Sequence, residues 1–394
     1  MAGTKEKNQV WKRKHHKVTF ALIRAIFKPF FRFRYKLKPN KEEKNVPSPA
    51  LIMANHQTTY DQFMLMCSFK RPLYFIASED LFLNPILGPL MKWFMKPISK
   101  SKSKSDLSAV RKTLKILKQG STVALFPEGN RTFSGGSWEI DISTAKLAKM
   151  AKVPLVLYKI DGGFGTDPRW GGKIRRGKMS AGVVEVISTE QVQQMSLEEL
   201  YQKIVGALRS NDYEKDIEFK SKKRAEYLER ALYYCPNCNS FESLYSKGNY
   251  LYCENCEMVA EYTPDLKIKA VDGVLPYNNV YEWYNAQKEK LKTSLSNGED
   301  IEFSQKGLKA RLIYDKKWHA QGKANIVADK QGFKAETDKQ SYHYTWQEID
   351  GVTVLGKKKI NFYLPDGKTL QLVGDKRFCG LRFLRLYEIF RGEK

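Results

Sequence analysis

The sequence predicts an α/β domain with a mostly parallel sheet and helices on both of its faces, followed by a small cysteine-rich module and a C-terminal β-rich domain. Apolar runs of strand character alternate with helical patterns over the first half of the chain, which favours a parallel sheet. Past residue 300 the apolar residues instead recur with a period of two, in short segments separated by turns. A chain of 394 residues is long enough for two or three domains.

Residues 1–38 form a strongly basic amphipathic segment. The first forty residues carry twelve Lys and Arg against a single acid, Glu6. Large apolar side chains recur among them at helical spacing: Val18, Leu22, Ile23, Ile26, Phe27, Phe30 and Phe31. This pattern is typical of a helix in the membrane interface, with its cations at anionic headgroups and with Pro29 breaking or kinking it. The alternative is a helix that packs on the core of its own domain.

The net charge of +25 indicates a polyanionic partner, and charge alone does not distinguish an anionic membrane from nucleic acid. Arg24 and Lys28 interrupt the N-terminal apolar stretch and no small-residue cleavage site follows, which argues against a cleaved signal peptide. No run of eighteen uncharged apolar residues occurs, so we expect no transmembrane helix. The protein is therefore expected to lie peripherally on the cytoplasmic, inner face of a membrane.

The α/β domain is expected to span residues 39–217, beginning with a polar linker. Its predicted strands are 50–55, 73–78, 122–127, 153–160 and 181–187. The clearest helix follows Asp106, the expected N-cap, and ends at Gly120. A glycine-rich basic stretch at 162–176 follows the fourth strand and is interpreted as either solvated surface or a substrate-side loop. Its cations are Arg169, Lys173, Arg175 and Arg176.

A polar segment, Asn55-His56-Gln57-Thr58-Thr59-Tyr60-Asp61, follows the first of these strands. In open α/β sheets the ligand crevice lies at the carboxyl ends of the strands, so this segment is expected at a site. A His with an Asp five positions later can form a general base and the carboxylate that orients it. The Asp accepts one ring N–H and leaves the other ring nitrogen to take a hydroxyl proton.

A second polar segment, Phe126-Pro127-Glu128-Gly129-Asn130-Arg131-Thr132, follows the third predicted strand. Arg131 supplies a guanidinium, which binds phosphate through two parallel hydrogen bonds. Gly129 removes the Cβ that would keep a substrate away from the backbone. The two segments together predict an acyl-transfer site with an anion receptor.

These two segments resemble the N-H-x4-D and F-P-E-G-T-R-S motifs of the glycerolipid acyltransferase family, which makes phosphatidic acid from lysophosphatidic acid. The resemblance extends over residues 45–190. Weaker motif matches lie at 74–77, 97–100 and 153–156. Three positions depart from the family pattern: Asn130 and Thr132 replace Thr and Ser, and Lys100 replaces Arg. The last change reduces a bidentate phosphate contact to a point charge.

The resemblance implies an O-acyltransferase that moves a fatty acyl group from acyl-CoA or acyl-acyl carrier protein to a hydroxyl of a phosphorylated glycerol lipid. His56 would take the hydroxyl proton, and Asp61 would hold the imidazole tautomer and stabilise the imidazolium. Asn55, or backbone N–H groups near residue 56, would stabilise the tetrahedral oxyanion. Cys67 lies in an apolar stretch, which favours an inert buried thiol over a nucleophile.

On the acceptor side, the resemblance implies that Arg131, helped by Lys100, holds the phosphate, with Gly129 at the turn. Glu128 would order Arg131 or bind the glycerol backbone. Lysophosphatidic acid is the most direct interpretation of the acceptor, and glycerol 3-phosphate or another lysophospholipid stays open. So does a different class of function, a non-catalytic scaffold that binds membranes or nucleic acid through the C-terminal modules. Because no residue with an implied chemical role lies beyond them, residues 1–217 alone are expected to keep part of the activity.

Residues 218–262 are expected to form a helical linker and a zinc ribbon. Two C-x2-C pairs, fourteen residues apart, provide four thiolates at the spacing of a tetrahedral zinc site: Cys235, Cys238, Cys253 and Cys256. Iron in a rubredoxin-like site and two disulfides are the alternatives, and disulfides need an oxidising compartment. The aromatic-rich loop between the pairs has Lys247 as its one basic residue, which argues against nucleic acid and favours a structural staple.

The remaining region divides into a linker helix within 263–299 and a β-rich domain at 300–394. Seven short strands are predicted at 308–314, 323–328, 332–336, 343–348, 351–355, 360–363 and 370–373, followed by a helix at 377–390. Seven strands and then one helix is the order of a pleckstrin-homology-like (PH-like) barrel. Such a domain can bind a lipid headgroup, bind a protein or pack on the enzyme, and its partner stays open.

Overall fold

The structure is a computed structural model that describes residues 14–37, 46–78, 82–83, 87–100, 107–136 and 139–392. The chain folds into two compact units. The first unit consists of residues 1–132, 136–166 and 177–211. The second unit consists of residues 133–135, 167–176 and 212–394. Three segments of the expected α/β domain, 133–135, 167–176 and 212–217, therefore belong to the second unit.

The first unit contains the predicted mostly parallel sheet, which is confirmed. Its strands are β1 (Leu51–Ala54), β2 (Leu73–Ser78), β3 (Ile98–Lys100), β4 (Thr122–Leu125), β5 (Leu155–Asp161) and β6 (Ser180–Ile187). They lie in the order β3-β2-β4-β1-β5-β6. Neighbouring strands run parallel except β5 and β6, which run antiparallel. The sequence does not predict β3, because three residues are too few for a strand pattern to show.

Helices cover both faces of this sheet. They are α1 (Lys14–Arg34), α2 (Asp61–Ser68), α3 (Leu87–Phe94), α4 (Leu107–Lys118), α5 (Ser143–Ala151), α6 (Gly163–Thr166), α7 (Thr189–Gln194) and α8 (Leu197–Leu208). Apolar residues of α4, α5 and α8 form one buried cluster with Leu51, Val123 and Leu155. Tyr158 lies on the opposite face, where its hydroxyl shares a hydrogen bond of 2.6 Å with Ser68 of α2.

The helix expected after residue 106 is confirmed as α4. It begins at Leu107 and ends at Lys118. Gly120 follows with φ of +75°, a conformation that glycine adopts without strain. Asp106, its expected N-cap, lies outside the described residues.

α1 continues through Pro29, so the expected break at that residue is wrong. One side of α1 packs on its own unit: Phe20 and Phe31 are buried, and the ring of Phe27 stacks on Phe63 with centroids 4.2 Å apart. The other side exposes Val18, Leu22, Ile26 and Phe33. The packing alternative therefore holds for one side of the helix. Within the described residues, no helix is both long enough and apolar enough to cross a bilayer.

The expected helical linker before the cysteines is wrong. Residues 212–234 instead contain two short 3₁₀ turns, Asp212–Glu214 and Leu228–Arg230. Apolar side chains of this stretch, such as Phe219, are buried, so tertiary packing overrides its helical pattern. A four-stranded antiparallel sheet follows, in the order β10-β9-β8-β7: β7 (Leu244–Lys247), β8 (Tyr250–Cys253), β9 (Val259–Tyr262) and β10 (Ile268–Ala270). Helix α9 (Val280–Ser296) packs on this segment, and Trp283 Nε1 donates to the Tyr234 carbonyl at 2.9 Å.

Seven antiparallel strands and a final helix complete the second unit, in the number and order that the sequence predicts. They are β11 (Phe303–Tyr314), β12 (Lys317–Ala328), β13 (Gly332–Thr337), β14 (Ser341–Thr345), β15 (Gly351–Leu355), β16 (Lys359–Tyr363), β17 (Thr369–Val373) and α10 (Leu381–Arg391). The sheet order is β14-β13-β12-β11-β17-β16-β15. β11 and β12 are longer than predicted. Shifts in their pairing register interrupt the strict period of two, which explains the shorter prediction.

Candidate active site

The two polar segments leave neighbouring strands at the same edge of the sheet. β1 and β4 pair in parallel, with Met53 opposite Leu125. The chain after β1 and the chain after β4 therefore emerge side by side. We call residues 55–61 the histidine loop and residues 126–132 the arginine loop. The structure thus brings together the two motifs that the sequence predicts as one site.

His56 and Asp61 form a close pair in the histidine loop. Nδ1 of His56 lies 2.8 Å from Oδ2 of Asp61. The His56 side chain is 21% exposed, whereas Asp61 is fully buried at the start of α2. The His56 ring also stacks on Phe126, with centroids 4.4 Å apart. Because the carboxylate faces Nδ1, it favours the tautomer with a proton there and a basic Nε2.

Short-range hydrogen bonds satisfy the buried Asp61 carboxylate. The backbone N–H groups of Gln57 and Thr58 donate to it at 2.6 and 2.9 Å, and the Thr58 hydroxyl donates at 2.5 Å. Such donors, together with the positive end of a helix, stabilise a buried anion. Thr58 is not among the site residues that the sequence predicts. The signal was available, since Thr58-x-x-Asp61 before the apolar run of α2 is a helix-start pattern.

The expected oxyanion donors are engaged elsewhere. Nδ2 of Asn55 donates to the carbonyl of Ile160 at 2.7 Å, and Oδ1 of Asn55 accepts the Ile160 N–H at 2.7 Å. The backbone N–H of His56 donates to Oε1 of Glu128 at 3.1 Å. The next two N–H groups bind the Asp61 carboxylate. Without substrate, Asn55 and these N–H groups are thus held by the backbone of Ile160 and by two carboxylates, and their oxyanion role stays a prediction.

The arginine loop turns sharply after β4. Gly129 has φ of +67°, and a Cβ at this position would meet open space. The glycine is thus required by the backbone turn itself. Its N–H donates to the carbonyl of Phe126 at 3.1 Å. Glu128 is nearly buried, and its carboxylate ties this turn to the histidine loop through the His56 N–H.

Arg131 lies against the histidine loop. Its Nε donates to the carbonyl of Gln57 at 3.1 Å, and its Nη1 donates to Oγ1 of Thr59 at 2.7 Å. Gln57 is fixed in turn, because its Oε1 accepts the N–H groups of Gly163 and Phe164 at 3.0 and 3.2 Å. Gln57 and Thr59 occupy unspecified positions of the N-H-x4-D motif, so the motif itself assigns them no role.

Lys100 ends β3 at the same edge of the sheet as the two loops. In the sheet order, β2 separates β3 from β4, so the end of β3 is about 10 Å from the end of β4. The Lys100 side chain is exposed. The structure thus places Lys100 on the rim of this edge and not beside β4, the strand that the arginine loop follows.

Cys67 is buried in α2, in agreement with its interpretation as an inert thiol. Burial raises the pKa of the Cys67 thiol to about 11, although the charges of Lys28 and Arg24 oppose this change. The reactive species of cysteine is the thiolate. Cys67 is therefore a poor nucleophile at neutral pH.

The four cysteines of the C-x2-C pairs meet in the second unit. Their sulfur atoms all lie within 4.8 Å of one another, and Cys235–Cys256 and Cys238–Cys253 are each 3.7 Å apart. Four sulfurs about 2.3 Å from a central zinc would be about 3.8 Å apart, whereas sulfurs in a disulfide are about 2.05 Å apart. All six cysteines of the chain are free. The donor set and its spacing fit a tetrathiolate metal site and do not fit two disulfides.

Part of this chain resembles known proteins. Residues 38–158 match the family model described as Acyltransferase. A chloroplastic 1-acyl-sn-glycerol-3-phosphate acyltransferase of Arabidopsis thaliana is 28% identical over 152 residues, which are 37% of this chain and 42% of the relative. The 1-acyl-sn-glycerol-3-phosphate acyltransferase of Saccharomyces cerevisiae is 27% identical over 172 residues, 41% of this chain and 55% of the relative. The crystal structure of the 1-acyl-sn-glycerophosphate acyltransferase PlsC from Thermotoga maritima matches 50% of this chain and 83% of its own, at 20% identity and a TM-score of 0.41.

The chain spans about half the length of the curated relatives it matches. The family model covers both the histidine loop and the arginine loop. It ends at residue 158, before the four cysteines and the C-terminal sheet. Sequence likeness and site geometry therefore coincide in the first unit and define an acyltransferase-like site there.

Proposed function

We propose that this protein is an O-acyltransferase that moves a fatty acyl group from a thioester to a hydroxyl of a phosphorylated glycerol lipid. The observation that carries the proposal is the His56–Asp61 pair, 2.8 Å apart, in a loop that also binds Arg131. A base and a cation held by one loop fit a substrate with a hydroxyl and a phosphate a few bonds apart. The family match over residues 38–158 supports the same class of reaction.

The acceptor that we propose is lysophosphatidic acid, and the product is phosphatidic acid. Support comes from the relatives in Arabidopsis thaliana and Saccharomyces cerevisiae, both named 1-acyl-sn-glycerol-3-phosphate acyltransferase. The donor is acyl-CoA or acyl-acyl carrier protein. Both donors present the same thioester, so the chemistry at His56 is the same for either.

In the proposed reaction, Nε2 of His56 takes the proton of the acceptor hydroxyl as the hydroxyl oxygen attacks the thioester carbonyl carbon. Asp61 holds the Nδ1 proton and stabilises the imidazolium that forms. Collapse of the tetrahedral intermediate breaks the carbon–sulfur bond. The imidazolium then returns its proton to the departing thiolate, which restores neutral His56 without a covalent acyl-enzyme.

Arg131 binds the acceptor phosphate in this proposal. Its hydrogen bonds to the Gln57 carbonyl and to Thr59 orient the guanidinium before substrate arrives. Preorganised groups lose less conformational entropy on binding. The guanidinium fork also matches the geometry of phosphate oxygens, which a lysine does not.

A panel of acceptors tests the proposed function directly. Purified protein is given labelled acyl-CoA or acyl-acyl carrier protein with lysophosphatidic acid, glycerol 3-phosphate, other lysophospholipids or monoacylglycerol. We expect phosphatidic acid from lysophosphatidic acid, at a rate far above that for monoacylglycerol of the same chain length. Faster transfer to glycerol 3-phosphate would make glycerol 3-phosphate, and not lysophosphatidic acid, the acceptor. Transfer to none of them, with either donor, would leave a non-catalytic scaffold as the better interpretation.

We also propose that α1 contacts the cytoplasmic face of an anionic membrane. Its exposed side carries Val18, Leu22, Ile26 and Phe33, together with the exposed cations Lys17, Lys28 and Arg32. Apolar side chains flanked by cations are typical of interfacial helices. Leu22→Glu with Phe33→Glu should reduce sedimentation with anionic vesicles, whereas Val184→Glu with Val186→Glu, on exposed positions of β6, should not. Equal vesicle binding by both double variants would contradict the proposal that α1 contacts the membrane.

We propose that Cys235, Cys238, Cys253 and Cys256 hold one structural zinc ion. The ion would join two short turns of the chain and stabilise a segment with little core of its own. Metal analysis of the purified protein should give about one zinc per chain, and Cys235→Ser with Cys253→Ser should abolish it. Iron in its place, or two disulfides found by mass spectrometry, would contradict the assignment.

The C-terminal sheet and α10 form a PH-like domain in this proposal. Support comes from the sheet order, in which the first strand β11 lies between β12 and β17, and from the single helix after the seventh strand. An experimental structure should contain two packed antiparallel sheets closed by α10. A flat, open sheet would contradict the PH-like assignment.

A further inference from the structure

The chain passes from the first unit to the second directly after the arginine loop. Thr132 belongs to the first unit, whereas Phe133, Ser134 and Gly135 belong to the second. The Phe133 side chain is buried, and the hydroxyl of Tyr213 donates to the Ser134 carbonyl at 2.5 Å. Residues of the second unit therefore hold the chain two and three positions after Arg131, through the Phe133 side chain and the Ser134 carbonyl.

Arg169 of the second unit contacts the Phe133 ring. The guanidinium carbon of Arg169 lies 4.1 Å from the centroid of that ring, in cation–π geometry. Its Nε donates to the carbonyl of Gly356 at 3.0 Å, and its Nη2 donates to the carbonyl of Val354 at 2.6 Å. The sequence allowed a solvated or substrate-binding role for this arginine, but its side chain is 3% exposed.

The hairpin that joins β15 to β16 also binds residues close to Arg169 in the chain. Lys357, directly after Gly356, donates to the carbonyl of Gly171 at 2.5 Å and lies 3.8 Å from the Asp167 carboxylate. The hairpin therefore binds the segment 167–171 at several points. Arg169 is the member of that segment whose guanidinium reaches both the hairpin and Phe133.

We propose that Arg169 is a positioning residue for acceptor binding, because it fixes Phe133 and so sets how the arginine loop presents Arg131. The inference rests on the proposed function, in which Arg131 binds the acceptor phosphate. The effect passes along the chain, through the two peptide bonds from Phe133 to Arg131. It also implies that residues 1–217 alone, which lack the hairpin at Val354–Gly356, would keep only part of the activity and would have a raised acceptor KM.

The first test compares Arg169→Met with a matched control, Arg382→Met. Arg382 is also a buried arginine of the second unit; its Nη2 donates to the Ser304 carbonyl at 2.7 Å, and it lies 5.0 Å from the Phe383 ring. We expect Arg169→Met to raise the KM for lysophosphatidic acid about tenfold, with the KM for acyl donor unchanged. Arg382→Met should change neither constant. Arg169→Lys should raise this KM less than Arg169→Met does, because it keeps the charge and loses only the bidentate geometry.

A double-mutant cycle with Arg131→Ala separates positioning from general damage. If Arg169 acts through Arg131, then Arg169→Met should raise acceptor KM no further when Arg131 is already alanine. Effects that multiply in the double variant would overturn the inference. So would an equal rise in the KM values for acceptor and donor in Arg169→Met.

Hydrogen exchange provides a readout that needs no activity. The peptide covering residues 126–135 should exchange faster in Arg169→Met than in the wild type, and at the wild-type rate in Arg382→Met. Unchanged exchange in Arg169→Met would overturn the positioning role even in an active enzyme. If the wild type acylates no acceptor, the proposed function fails, and the exchange result still decides whether Arg169 fixes the loop. Arg169→Lys serves both experiments if Arg169→Met does not fold.

Discussion

The histidine loop and the arginine loop emerge side by side, yet they are held in different ways. The Asp61 carboxylate takes its hydrogen bonds from residues three to five positions earlier in the chain. Glu128 and Arg131 instead bond to residues 72 to 74 positions away, in the histidine loop. The Asp61 carboxylate is therefore held by its own local sequence, whereas the side chains of Glu128 and Arg131 are held by tertiary structure.

This difference separates the two parts of the proposed chemistry. A change at His56, at Asp61 or at a donor to Asp61 acts on the base and should lower kcat for any acceptor. A change that shifts the arginine loop moves a positive charge and should raise KM for acceptors that carry a phosphate. Measuring whether each substitution changes kcat or acceptor KM therefore tests this difference.

The largest effect is expected from His56→Ala. Loss of the general base should lower kcat by about 10²–10⁴-fold, with little change in acceptor KM. Initial rates with lysophosphatidic acid measure both constants, and circular dichroism verifies that the variant remains folded. A folded variant with near-normal turnover would show that His56 is not the base.

Two adjacent threonines provide a matched test of smaller effects. Thr58→Val removes a hydroxyl that donates to Asp61, and Thr59→Val removes the hydroxyl that accepts from Arg131. Both substitutions keep the shape of the side chain. Each lost hydrogen bond involves a charged group and should cost about 1.5 kcal/mol, or about tenfold. We expect Thr58→Val to lower kcat and Thr59→Val to raise acceptor KM.

Steady-state kinetics with varied acceptor distinguishes the two outcomes for the threonines. The wild type and a Thr58→Ser variant, which keeps the hydroxyl, serve as controls for the histidine loop. If both valine variants change the same constant, the His56–Asp61 base and the Arg131 phosphate receptor do not act separately.

The smallest effect is expected at Cys67. Cys67→Ala should leave kcat and acceptor KM close to the wild-type values, since the thiol has no part in the proposed reaction. With a pKa of about 11, Cys67 should react slowly with iodoacetamide at pH 8, and the rate should rise with pH toward 11. Mass spectrometry of the alkylated protein measures that rate. An acyl group trapped on Cys67 would instead indicate covalent catalysis.

The sequence predicted those features that depend on nearby residues. His56 and Asp61 are five positions apart, and the turn at Gly129 requires a residue that tolerates positive φ. The parallel strands also follow from local apolar runs separated by helical patterns. Local patterns of this kind are visible in a single sequence, because the interacting residues lie within a few positions of each other.

Features that depend on distant partners were not predictable. Arg169 belongs to a basic stretch that suggests exposed surface. Its side chain is instead buried, and it donates hydrogen bonds to carbonyls 185 and 187 positions away. Asn55 has the chemistry of an oxyanion donor, and only the structure shows that its side-chain amide bonds to the backbone of Ile160, 105 positions away. The direction of β6 likewise depends on its connection, since the chain between β5 and β6 contains a four-residue helix where a parallel crossover usually needs a longer one.

The most direct test of the account compares kcat/KM for lysophosphatidic acid and for monoacylglycerol of the same chain length, in the wild type, Asp61→Asn and Arg131→Ala. Asp61→Asn should lower both values by a similar factor, because the base serves either acceptor. Arg131→Ala should lower the value for lysophosphatidic acid alone and so remove the preference for the phosphorylated acceptor. An Arg131→Ala enzyme that keeps the wild-type preference would contradict the assignment of this site to a phosphorylated glycerol lipid.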